Sequence, residues 1–157
     1  MTYGELTLCV INDRDGIAEK AVKLFKEELE LRKVNVRIGG ASERGLRIEF
    51  DVVPGKKDSF TIEAEEERLR IAAPDLRGLI YGYSMFLRKT EYGPERPYAS
   101  VRLVRDISGS YAPAKPIRGH QLGYRPKNNT YDAWAPEDFY RYYRDMMMFG
   151  SNICELM

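Results

Sequence analysis

The chain has 157 residues, 43% hydrophobic and 31% charged, a balance that describes a globular rather than a disordered chain. Its 25 Lys and Arg stand against 24 Asp and Glu, for a net charge of +1, which argues against nucleic acid as a partner because that calls for a basic stripe. No apolar run is long enough to span a bilayer, so no membrane is expected, and Met1 to Glu5 lack the basic and apolar regions of a secretory leader. Cys9 and Cys154 are the only cysteines. Both fall in apparent strands, without the spacing of a metal site or a disulfide framework, and read as packed thiols.

In chain order, Leu6 to Ile11 (LTLCVI) is a continuous apolar run of strand length. Asp13 or Asp15 then caps a helix over about residues 15–32, where Ile17, Ala18, Ala21, Val22, Phe25 and Leu29 recur at helical spacing. VNVRI and LRIEFDVV alternate apolar and polar residues, as half-buried strands do. After a turn at Pro54 and Gly55, FTIEAE and RLRIAA read as two more alternating strands of a hairpin, their polar residues facing solvent from an antiparallel sheet.

From Pro74 the period returns to that of a helix. Gly78 and Gly82 lie four apart within it, on one face. Glycine costs roughly 1 kcal/mol in a helix interior, so this pair predicts a helix pressed closely on the sheet. SVRLVRDI reads as a further strand, giving β-α-β-β-β-β-α-β over the first hundred residues. The expected class is α+β, an antiparallel or mixed sheet with two helices on one face.

SGSYAPAKP, rich in Ser, Gly and Pro, predicts a linker over 108–117 between a domain at 1–107 and a second element set at 118–157. There IRGHQLGY reads as a strand, RPKNNTYDAWAP as a long loop, and PEDFYRYYRDMMMFG as a helix opened by Pro136 and closed by Gly150. Phe139, Tyr142, Tyr143, Met146 and Phe149 form its apolar stripe, and the run Met146 to Met148 reads as packing rather than as a metal site. NICELM is the last strand, and the three elements make a βα unit that begins a parallel sheet.

The segment DSFTIEAEEERLRIAAPDLRGLIYGYSMFLRK resembles the non-catalytic α/β domain that precedes the barrel in family-20 β-N-acetylhexosaminidases and related α-glucuronidases. Asp58, Phe60 and Ile62 match the strand part of that pattern, and Arg77, Gly78, Leu79, Tyr81 and Gly82 the helix part. PIRGHQLGYR resembles the first strand of such a barrel, and FYRYYRDMMMFGSNICELM its first helix and second strand. A complete (β/α)8 barrel takes about 250 residues, so the resemblance implies a hexosaminidase-like α/β domain followed by the first β-α-β of an incomplete barrel. The chain then reads as an N-terminal piece of a glycoside hydrolase acting on oligo- or polysaccharides, inactive alone.

Glycoside hydrolysis ordinarily uses two carboxyl groups. The family resemblance implies instead an Asp-Glu pair on a later barrel strand, beyond residue 157, so no catalytic residue is assigned within the chain. The resemblance places Arg118 at the position that reaches a sugar, where a guanidinium suits adjacent hydroxyls or a sugar carboxylate; a structural ion pair is the alternative. Where the hexosaminidase pattern has an Asp, this chain has Gly123, which widens the reading from hexosaminidase to glycoside hydrolase. His120, the only histidine, alternates with Arg118 and shares its face, lining the barrel mouth if Arg118 does, or simply packing. Trp134 either stacks on a sugar ring or anchors its loop, and Tyr124 and Tyr131 fit the anchoring role better. Glu155 faces either the barrel axis or a helix.

No metal or cofactor is implied. The expected partners are carbohydrate in the intact parent and the rest of the barrel, with self-association through the incomplete barrel edges. A free-standing carbohydrate-binding or protein-interaction module is the other reading. The resemblance implies an extracellular or periplasmic setting, and the absence of a leader pattern leaves the cytoplasm open.

Overall fold

The protein was analysed as a computed structural model that describes residues 1–39, 45–94, 97–103, 106–122 and 133–156. The expectations for Gly123, Tyr124 and Tyr131 lie outside these residues. The chain divides into two compact units, Met1–Ala112 and Pro113–Met157.

In the first unit the short strand β1 (Thr2–Tyr3) precedes β2 (Leu6–Asn12), α1 (Ile17–Leu31), β3 (Val36–Ile38) and β4 (Leu46–Val52). Then follow β5 (Phe60–Ala64), β6 (Arg68–Ala73), α2 (Leu76–Arg88), β7 (Thr90–Tyr92), β8 (Val101–Leu103) and β9 (Gly109–Tyr111). The main sheet has six strands in the order β3-β2-β4-β6-β5-β9. It is mixed: β3, β2, β4 and β6 run parallel, and only β5 and β9 are antiparallel to their neighbours. β6 runs parallel to β4 because the chain leaves β4, forms β5 one place further out and returns between them. A second sheet, in the order β1-β8-β7, holds the strand expected from SVRLVRDI and two short strands that the sequence pattern does not reveal.

Alternation along β4 separates its two faces. Leu46, Ile48 and Phe50 are fully buried, and Phe25 of α1 meets Phe50 at 5.8 Å between ring centroids. Phe25 also stacks on Tyr83 of α2 at 4.9 Å and meets Phe86 edge-on at 5.6 Å, so both helices share the one sheet face. Such aromatic pairs add about 1 kcal/mol each to the burial of their area. On the other face Arg70 reaches Asp51 at 3.0 Å and Glu63 at 3.0 Å, while Asn12 donates to the second Asp51 oxygen at 2.8 Å. Arg47 and Arg68 likewise flank Glu49. This face is therefore more than a solvated polar surface, because Glu49 and Asp51 are buried beneath the arginine stems.

The motif residues of β5 and α2 act together. Asp75 caps α2, its carboxylate accepting from the Gly78 N–H at 2.8 Å and from the Asp58 N–H at 2.8 Å. Asp58, buried and at φ +64°, accepts from Arg77 Nε at 2.7 Å. Gly78 and Gly82 are where α2 touches the sheet. A Cβ on Gly78 would lie 2.3 Å from the Ser59 carbonyl oxygen, and one on Gly82 would lie 2.4 Å from Ile71 Cγ2.

Two further local findings refine the sequence reading. Residues 109–111, expected in the linker, form the edge strand β9, and the boundary between units falls after Ala112. An edge strand needs only its backbone groups, and here Tyr111 also stacks on Phe60 at 4.9 Å, so a Ser- and Gly-rich composition was no bar. At α1 the N-cap position is Gly16, in a left-handed conformation, and Asp13 caps from further back, accepting from Ala18 N–H at 2.8 Å and Glu19 N–H at 3.3 Å.

Breaking the Asp58–Arg77 pair from either side should have unequal costs. Arg77→Ala leaves a buried carboxylate without its guanidinium and should destabilise by about 3 kcal/mol. Asp58→Asn keeps an acceptor for a half-exposed Arg77 and should cost about 1 kcal/mol. Urea unfolding decides it, and equal costs would refute this ordering. At Asp13, desolvation pushes the pKa up, and backbone N–H groups of Ala18, Glu19, Arg14 and Ile17 outweigh it and hold the carboxyl below its usual value. A depressed folded pKa gives stability that is complete above the unfolded value of about 3.9 and lost as pH falls through the folded one. Asp13→Ala should therefore cost about 1 kcal/mol at neutral pH, and that cost should shrink as pH falls through the folded value. A pH-independent difference would remove the cap from this account.

Candidate functional site

The second unit carries every residue that the sequence marks for sugar contact. It consists of β10 (Gly119–Leu122), α3 (Pro136–Met148) and β11 (Ile153–Leu156). The two strands pair in parallel, with Gly119 opposite Ile153, His120 opposite Cys154, and Gln121 opposite Glu155. Gly119 is required by this pairing, since a Cβ there would lie 2.2 Å from the Ile153 carbonyl oxygen.

Arg118 sits just before β10, at the N-terminal end of the pair. Its Nε donates to the Gly150 carbonyl at 2.7 Å and its guanidinium NH1 to the Lys115 carbonyl at 2.7 Å. Its own backbone N–H donates to Asn152 Oδ1 at 2.9 Å, and its carbonyl accepts from Asn152 N–H at 2.7 Å. Asn152 Nδ2 completes the clasp on the Pro116 carbonyl at 2.8 Å. Gly150, at φ +93°, is the turn from α3 into β11, so the guanidinium locks that turn against the segment entering β10.

His120 hydrogen-bonds through Nδ1 to the Tyr142 hydroxyl, and the two ring centroids are 6.0 Å apart. Tyr142 belongs to α3, so His120 lies on the face that α3 covers. Cys154, its register partner, lies on that same face: burial raises the Tyr143 pKa and the nearby Cys154 adds to the rise. The shared face of Arg118 and His120 is thus the side of the strands on which α3 packs, and His120 is exposed there beside Tyr142. Alternation is visible in sequence, but which face looks inward depends on the side taken by α3.

Trp134 is half-buried, 5.2 Å from Phe139 and 5.2 Å from Tyr142 between ring centroids. With Ala135 at the N-cap, Trp134 and Phe139 occupy the two positions of a hydrophobic staple, which fixes the entry of the chain into a helix. Asp138 supports the same end by accepting from the Ala135 N–H at 2.9 Å. Along the rest of α3, Tyr142, Tyr143 and Met146 are half-buried, Met148 is buried, and Phe149, expected in the stripe, is 76% exposed.

The opposite face of the strands presents Gln121 and Glu155, both exposed, together with Ile153. Sequence reading left Glu155 undecided and did not single out Gln121; the signal that would have found them is their shared parity, opposite to His120. No group of three or more His, Cys, Asp or Glu side chains comes together among the described residues in a way that would hold a metal ion.

No family model matches the chain, and no curated protein does. Solved structures do. An inactive mutant of the family-20 exo-β-N-acetylglucosaminidase from Vibrio harveyi is similar over 99% of this chain and 22% of its own, with a TM-score of 0.74 at 18% identity. The family-20 β-N-acetylhexosaminidase from Streptomyces coelicolor A3(2) is similar over 96% of this chain and 30% of its own, with a TM-score of 0.66 at 12% identity. The chitobiase from Flavobacterium johnsoniae is similar over 98% and 24%, with a TM-score of 0.65 at 16% identity. The chain spans under a third of the length of each.

If Trp134 is the staple that this geometry describes, its fluorescence should ignore sugar. It is the only tryptophan in the protein, so the emission reports the start of α3 alone. N-acetylglucosamine and chitobiose at millimolar concentration should leave the emission maximum unchanged, and a saturable shift would return Trp134 to sugar contact. Identities of 12–18% carry fold and no more, and the fold of this chain is one that family-20 hexosaminidase structures contain.

Proposed function

We propose that the chain is the accessory α/β domain and the opening β-α-β of the barrel of a glycoside hydrolase acting on oligo- or polysaccharides, and that it has no hydrolytic activity alone. The observation that carries this reading is the similarity over 99% of the chain, both units included, to a glycosidase of which it covers 22%. The second unit adds a physical argument. Parallel strands ordinarily have both faces covered, and here the face opposite α3 leaves Ile153 52% exposed. Further strands of a barrel would cover it. Sugar contact by Arg118, His120 or Trp134 in the longer enzyme would need these side chains to exchange partners that they hold in this structure. The substrate is an N-acetylhexosaminide if the chain follows its structural neighbours and a hexuronide if it follows the α-glucuronidases.

Two measurements on the chain as it stands test the reading. It should release no nitrophenol from aryl N-acetylglucosaminides, glucosides or glucuronides, and turnover would refute the accessory role. Amides of β10 and β11 should exchange at least about 100-fold faster than those of β2, β4 and β6, or else become protected only as the chain self-associates. Equal protection in a strictly monomeric species would make the second unit self-sufficient and sink the barrel reading.

A further inference from the structure

We draw no further inference here: the strongest candidate, the row of Arg37, Thr7, Arg47 and Arg68 across the polar face of the main sheet, carries no anion site because its arginines already pair with the carboxylates of Glu5, Glu49 and Glu65 and nothing in the structure shows a ligand reaching the buried Thr7 beneath them.

Discussion

The first unit depends on how closely α2 lies against its sheet. Two glycines set that distance. With Cβ atoms at 78 and 82 the helix would collide with the Ser59 carbonyl and with Ile71, and would have to rise from β5 and β6. Lifting it would separate Tyr83 and Phe86 from Phe25, and so loosen the aromatic centre that joins both helices to β4. The glycines cost helix propensity, and packing at near-crystalline density returns more than they cost. The Asp75 cap and the Asp58–Arg77 pair hold the helix start at that depth, which explains why the residues that resemble a hexosaminidase signature are structural ones.

The outer face of the same sheet solves a different problem. A sheet with helices on one side only must leave its other side polar, yet bare carboxylates on neighbouring strands repel. Here arginines alternate with carboxylates across β4, β6 and β5, and the strand edges end in short pieces such as β9 and β3. Mixed charge with short edges discourages sheet-to-sheet association. The face is therefore accounted for without any ligand.

Helices and long strands were legible from periodicity: the apolar stripe of Ile17 to Leu29 and the alternation of LRIEFDVV both became the elements they imply. What escaped were features whose cause is not in local sequence. The strand β9 is written in Gly and Ser, and only the open edge of β5 makes it a strand. The parallel run of β2, β4 and β6 depends on chain routing, which an antiparallel-looking alternation does not encode. For the candidate site, the shared face of Arg118 and His120 was legible, and the identity of that face was not, because only the docking of Tyr142 beside His120 tells the helix side from the other. Trp134 was visible as a special residue, but its role as a staple required knowing that Phe139 sits one turn into the helix.

The Arg118 clasp bears on how the second unit comes into being. Asn152 and Arg118 lie 34 positions apart, and they join the two ends of an excursion that includes α3. Closing an unordered segment of that size costs about 3 kcal/mol in the length-dependent term alone. A two-stranded parallel pair four residues long returns little against that cost. The hydrogen bonds from one guanidinium to the carbonyls of Gly150 and Lys115, with the Asn152 amide beside them, are thus the contacts that make the closure self-locking. During synthesis β10 leaves the ribosome well before Gly150 does, so β10 must wait, without β11 beside it, for the turn that will hold it.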